Sequence, residues 1–256
     1  MSKTLGGTLI VRNAISQDYC VIEAIDSLSE ACDKVLVGEC GSDDGTLPLL
    51  LSHLNAGRWP NVKIVAGFDW ECVKGKERLS MITTELSRML LDTEYNFNLQ
   101  ADEIIHEDSI PFIREAVERG EEGYHVRRFN LWGSMDTMIR LDLTGKGKPV
   151  SDIVCRLAKS VYPSYGDGES INAPGIPDYV DRIKIFHMGF VRDKVKHVDK
   201  IINMQRDVFC IGPDPRVVKM KEEGRPFDPT EFFAPEDLEP APVLPKYIRE
   251  WADIRR

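Results

Sequence analysis

Short apolar runs alternate with amphipathic stretches through the first half of the chain, a pattern that predicts a sheet wound with helices. Residues 9–11 read as a strand, after which Tyr19, Ile22, Ile25, Leu28 and Cys32 recur at helical spacing. Residues 35–37 read as a second strand. A turn-rich segment, residues 38–45, precedes renewed helical spacing through Leu47, Leu50 and Leu54. Residues 62–66 read as a third strand. From Gly75 the spacing predicts a longer helix, with Leu79, Ile82, Leu86 and Met89/Leu90 on one face and Lys76, Glu77, Glu85 and Arg88 elsewhere. Residues 95–99 form the fourth expected strand, which runs into Gln100-Ala101-Asp102-Glu103.

Beyond this point either Asp108 or Ser109 is expected to cap a helix, with Pro111 in its first turn and Ile113, Ala116 and Val117 behind. After Gly123 the pattern turns strand-like over residues 124–132 and 154–158, with a Gly/Lys turn at 144–148 between them. Residues 182–191 suggest another strand, and 193–209 a basic helix. Pro226, Pro229, Pro235, Pro240, Pro242 and Pro245 mark an extended arm, and residues 246–256 a short terminal helix.

Composition narrows the class. The 256 residues are 42% hydrophobic and carry a formal charge of -9, from 33 Lys+Arg against 42 Asp+Glu. An acidic excess repels polyanions as a whole, which sets nucleic acid behind other partners. No apolar run reaches the roughly 18 residues of a membrane span, and residues 1–12 lack a signal-peptide pattern, so a cytoplasmic protein is expected. The six cysteines include no C-x-x-C pair, which favours reduced core thiols over a disulfide framework or structural zinc.

In a wound sheet, ligands bind beyond the carboxyl ends of the strands. Four polar clusters sit at such ends: Arg12-Asn13; Glu39-Cys40-Gly41-Ser42-Asp43-Asp44-Gly45-Thr46; residues 69–76; and Gln100-Ala101-Asp102-Glu103. Any one alone reads equally as turn and cap chemistry. No G-x-G-x-x-G follows the first strand and there is no G-x-x-x-x-G-K-[ST], which excludes a dinucleotide dehydrogenase and a P-loop enzyme.

The order and spacing of these clusters, over roughly residues 8–115, resemble the family 2 glycosyltransferases of the GT-A fold. Leu9-Ile10-Val11-Arg12-Asn13 is similar to that family's opening strand and turn, and Val35 through Thr46 to its nucleotide-binding loop. Lys74-Gly75-Lys76-Glu77-Arg78 matches its basic helix start, and Phe97 through Glu103 its acidic metal motif. Two positions depart from the pattern: Glu39 replaces an aspartate, and Gln100 replaces the first acid of Asp-x-Asp.

The resemblance implies an α/β fold of GT-A type: a single domain with a Rossmann-like mixed sheet flanked by helices and an extended C-terminal arm. Residues 1–210 would form the transferase domain, with 1–115 handling the nucleotide-sugar and 120–210 the acceptor, and 211–256 would form the arm. It further implies inverting transfer from a nucleotide-sugar, a UDP-sugar foremost, with Mn2+ or Mg2+ at Asp102 and His187. Donor contacts would come from Arg12, Asn13, Glu39, Gly41, Ser42, Asp44, Lys76, Arg78, Gln100, Ala101 and Arg192. His187 and Arg192 enter through a His-x-Gly-x-x-Arg segment, and Cys155-Arg156-Leu157-Ala158 precedes two acids, Glu169 and Asp167, placed as catalytic candidates. For each acid the roles of base, acceptor contact and plain turn stay open. The acceptor would be a glycan, a lipid-linked glycan or another hydroxyl compound, with a hydroxylated DNA base invited only by the basic helix. A homo-oligomer is compatible with the arm. Gln100 also admits a non-catalytic nucleotide-sugar-binding or scaffold protein of the same fold.

Overall fold

The computed structural model describes residues 2–71, 75–90, 92–141, 152–177, 181–248 and 251. Cys72, Lys74, the expected turn at 144–148 and most of the expected terminal helix lie outside them. The first four strands, β1 (Leu5–Val11), β2 (Lys34–Glu39), β3 (Val62–Ala66) and β4 (Tyr95–Gln100), form a parallel half-sheet in the order β3-β2-β1-β4. Helices α1 (Val21–Ala31), α2 (Thr46–Asn55) and α3 (Glu77–Arg88) connect them. β1 starts four residues before the expected strand, because Gly6 and Gly7 belong to it. A Cβ on Gly7 would come within 2.9 Å of Leu28 Cγ on α1, and one on Gly6 within 2.7 Å of Leu90 Cδ1. The glycines hide the strand from hydrophobic periodicity and let both flanking layers approach it.

The second half adds β5 (Glu103–Ile105), β6 (Gly123–Trp132), β7 (Thr137–Ile139) and β8 (Ile153–Lys159), then the two-residue strands β9 (Ser164–Tyr165) and β10 (Ser170–Ile171), and β11 (Lys184–Phe190). β8 joins β4 to β6 by antiparallel pairing, while β11 runs parallel to β6 and antiparallel to β5. The result is a mixed sheet flanked by helices, as expected. Helix α4 (Ile110–Arg119) starts where expected, with Ser109 at its N-cap position but without a side-chain cap bond; it follows a short 3-10 turn that His106 Nδ1 caps by accepting the Asp108 N–H at 3.2 Å.

The Pro-rich segment lies along the chain's own sheet. After α5 (Lys194–Asn203) and α6 (Pro215–Glu222), Phe227 and Phe233 join Trp132, Val198 and Val217 in one apolar cluster. A further strand, β12 (Leu238–Pro240), extends the sheet beside β7, and Ile248 and Trp251 are buried with Phe129, Leu131 and Phe186. Lys246 and Tyr247 reach Glu30 on α1 at 2.8 and 2.7 Å. Among the described residues no helix is long and apolar enough to cross a membrane, and Cys20, Cys32, Cys40 and Cys155 are buried free thiols.

The two halves meet at Glu103, the first residue of β5, which is fully buried. Its carboxylate accepts the Gln100 N–H at 3.0 Å and faces Arg156 of β8 and, at 3.5 Å, Arg128 of β6. Removing one partner of a buried ion cluster leaves the others uncompensated, which costs about 3–5 kcal/mol. Glu103→Ala is therefore expected to lose stability of that order, measured as a lower urea midpoint.

Candidate active site

A cavity of about 570 Å³ opens at the carboxyl ends of β1 and β4 and is closed on its far side by the Asp167–Glu169 loop and α5. This is within the ordinary range for a small-molecule site. Of the residues singled out from the sequence, Arg12, Asn13, Gln100, Ala101, Asp102, Asp167, Glu169 and His187 line it.

The loop after β2 stands behind this wall and shapes it. Buried Glu39 accepts the N–H groups of Gly41 at 3.2 Å and Ser42 at 2.7 Å, so its carboxylate folds its own loop. Asn13, at φ 55°, receives the Asp43 N–H on its side-chain oxygen and gives its own N–H to Ser42 Oγ. Asp44 accepts from Ser16 N at 2.7 Å and from both donors of Thr46. Glu39, Gly41, Ser42 and Asp44 thus hold the Arg12-Asn13 turn and do not themselves face the cavity. Lys76 is exposed at the start of α3, away from it. Arg78 is buried and lies against Trp70, which also carries Arg12; the guanidinium carbons are 5.1 and 5.2 Å from the ring centre. Trp70 lines the cavity, and its isolation in a turn-rich segment gave no periodic signal.

Opposite, the glycine-flanked acids are pinned. Gly166 and Gly168 take φ of 67° and 82°, which a tight turn requires. The Gly168 carbonyl accepts from Arg156 Nη1 at 2.8 Å and Asn98 Nδ2 at 3.2 Å, which tethers the turn. Glu169 pairs with Arg128 at 2.9 Å; burial opposes its charge, but Arg128 outweighs burial and holds the carboxyl below its usual range. Burial, followed by the charge of Glu169, raises the Asp167 carboxyl above its usual range. The two carboxyls are thus shifted in opposite directions, Asp167 towards greater basicity and Glu169 away from it.

The third wall is the strand end His187 to Arg192 together with α5. Asp193 caps that helix by accepting the N–H groups of Val195 and Lys196, both at 3.0 Å. His197, Lys200, Ile201 and Met204 then recur at helical spacing and line the cavity. Two of the basic residues expected on a solvated or nucleic-acid-facing side therefore point inward. Lys200 Nζ sits 3.2 Å from Asp102 Oδ2 and 3.4 Å from the Gly189 carbonyl, and Arg192 Nη2 sits 3.3 Å from the same Asp102 oxygen. Arg192 also bonds the carbonyls of Gly189 and Gln17, which turns it inward from the cavity. Both cations lie near the Tyr19 ring, at 5.0 Å for Arg192 and 5.3 Å for Lys200. Burial, then Arg192, lowers Lys200 to about 8, so it stays cationic at pH 7.

His187 Nδ1 is 3.1 Å from Asn130 Oδ1 and its Nε2 is 3.8 Å from Asp102 Oδ2. Burial lowers it to about 4 and keeps the ring neutral at pH 7. The expected Asp102/His187 pair thus stands together, but its surroundings do not suit a divalent cation. Gln100 offers no charge, Glu103 faces two arginines, and Asp102 already holds two cations at its Oδ2. Hard cations require several oxygen donors. Among the described residues no three His, Cys, Asp or Glu side chains group to hold a metal ion. Of the aromatics, Tyr124, Phe129 and Trp132 belong to the core, Tyr162 bonds Glu122, and Tyr165 is exposed.

No protein-family model and no curated protein sequence matches the chain. Among solved structures, S. aureus TarS 1-349 is similar at 12% identity and a TM-score of 0.45, over 78% of this chain and 66% of that one. Its complex with UDP gives 13% and 0.45 over the same shares. GalNAc-T7 with UDP, GalNAc and Mn2+ gives 9% and 0.40, over 52% of this chain and 24% of that one. The chain spans just under two thirds of TarS 1-349. Likenesses this distant say nothing about chemistry, which has to be drawn from the residues.

His197 gives a pH test. It is stacked on Phe227 at 4.0 Å, its Nε2 has no hydrogen-bond partner, and burial lowers it to about 2. The unfolded imidazole takes a proton near pH 6.5, so in between the unfolded state binds more protons. Its contribution is complete above pH 6.5 and is lost as pH falls below that, at up to about 1.4 kcal/mol per pH unit. Urea midpoints between pH 7.5 and 5 are expected to fall more steeply for the wild type than for His197→Phe.

Proposed function

We propose that the chain is a glycosyltransferase that moves a sugar from a nucleotide-activated donor, a UDP-sugar foremost, to an acceptor hydroxyl, with inversion at the anomeric carbon. The observation that carries this reading is the meeting, in one cavity, of a cationic cluster at the strand ends with a carboxylate of raised basicity on the Asp167–Glu169 loop. Sugar transfer from a nucleotide requires both. Negative charge builds on the departing diphosphate, and fixed positive groups stabilise it. The attacking hydroxyl must lose its proton to a base on the other side of the sugar.

In this reading Arg12, Asn13 and Trp70 bound the nucleoside end, with the Glu39 loop holding that wall in place. The diphosphate lies toward Asp102, Lys200 and Gln100. Asp167 takes the proton of the acceptor hydroxyl as its oxygen attacks the anomeric carbon, and the bond from that carbon to the phosphate oxygen breaks. Glu169, held by Arg128, accepts hydrogen bonds from the acceptor. Arg192 positions Asp102 and leaves phosphate contact to its neighbours. Glycan or lipid-linked glycan is the acceptor class that fits such a hydroxyl-directed base.

The test is UDP release from a panel of nucleotide-sugars. Asp167→Asn is expected to lower turnover 10²–10⁴-fold while UDP affinity by calorimetry changes less than about threefold. Failure of every nucleotide-sugar to bind would end the proposal. NMR of the first-formed product is expected to show the anomeric configuration opposite to the donor's; retention would replace single displacement with another route.

A further inference from the structure

We propose that the ammonium of Lys200 takes the place of a divalent cation in this site, so that the donor diphosphate is bound, and its departure stabilised, without metal. The inference rests on the glycosyltransferase reading and specifies the chemistry of its leaving-group end.

The position is one a metal would otherwise use. Lys200 Nζ lies beside Oδ2 of Asp102, the acid of the strand-end motif that lines the cavity, and Lys200 lines it too. Arg192 flanks the same oxygen from within. A divalent ion bound there would share its single anionic ligand with two fixed positive charges. The remaining donors are too few to compensate, since Gln100 is neutral and His187 supplies one nitrogen.

The charge balance points the same way. Asp102 offsets one of the two cations, leaving a net positive charge facing the space where a diphosphate would lie. An ammonium carries three N–H donors. Two are directed at Asp102 and the Gly189 carbonyl, so the third is available for a phosphate oxygen. The cation is also held in place: Lys200 is 7% exposed, the Tyr19 ring lies 5.3 Å away, and α5 is fixed by the Asp193 cap. Gly189 completes the seat, because a Cβ there would overlap the His187 ring and come within 3.2 Å of Asp102 Oδ2. When the sugar departs, the bond from the anomeric carbon to the phosphate oxygen breaks, its electron pair stays on that oxygen, and the ammonium lies against the new charge without giving up a proton.

Calorimetry of UDP binding to the full chain, in EDTA and in Mn2+, tests this without depending on turnover. UDP is expected to bind in EDTA with a dissociation constant within about threefold of that in Mn2+. Lys200→Ala, checked for folding by circular dichroism, is expected to weaken binding in EDTA by tenfold or more, and Mn2+ is expected to recover part of the loss. Tenfold tighter binding of wild-type protein in Mn2+, with loss of the increment in Asp102→Asn, would overturn the inference while leaving the glycosyltransferase reading intact. Absence of UDP binding in both conditions would overturn both.

Discussion

The buried carboxylate of Glu103 is the point on which the rest of the site depends. A charge with no exposure is costly unless several donors surround it, and here they come from the Gln100 backbone, Arg156 and Arg128. Each donor belongs to a different part of the molecule: the end of β4, the strand β8 and the strand β6. Meeting the needs of one anion therefore aligns the two halves of the sheet. The arginines then act outward, Arg156 on the Gly168 carbonyl and Arg128 on Glu169. The position of Asp167 and Glu169 is set by a chain of ion pairs that starts inside the sheet.

One residue earlier, Asp102 solves a different electrostatic problem. It gathers Lys200 and Arg192 from the far end of the chain, and the cations keep its carboxyl ionised against burial. The two neighbouring acids thus divide their roles by direction. Glu103 points into the sheet and builds the scaffold, whereas Asp102 points into the cavity and holds cations. Asp102 ends the turn after β4 and Glu103 opens β5, and at this junction adjacent carboxylates come to serve unlike ends.

The C-terminal segment contributes through packing. Its phenylalanines surround Trp132 and the underside of α5, with Phe227 stacked on His197 and Phe233 4.6 Å from Trp132. Since α5 carries Lys200, the C-terminal segment helps to fix the cation that faces the cavity. Of the prolines that look like linker punctuation, Pro229 and Pro235 sit at the first positions of 3-10 turns, where the missing N–H has no cost.

The pattern was enough to recover β1 to β4 and α1 to α4, because each of them buries one face and leaves its spacing in the sequence. It also placed Arg12, Asn13, Gln100 and Asp102 at strand ends, where chain order and sheet geometry bring them together without further information. The glycine-rich start of β1, the short strands β5, β7 and β12, and the docked tail carried no such signal, since their pairing is decided by partners far along the chain. The same holds for Lys200. In the sequence it is one of several basic residues on a helix, and only the fold, by setting α5 against Asp102 98 positions away, makes it a buried cation at the site. The sequence by itself determined which residue types were available and on which elements they stand. Tertiary structure decided which charges face each other, because Coulombic partners are chosen by distance through space and by burial, neither of which is written in sequence separation.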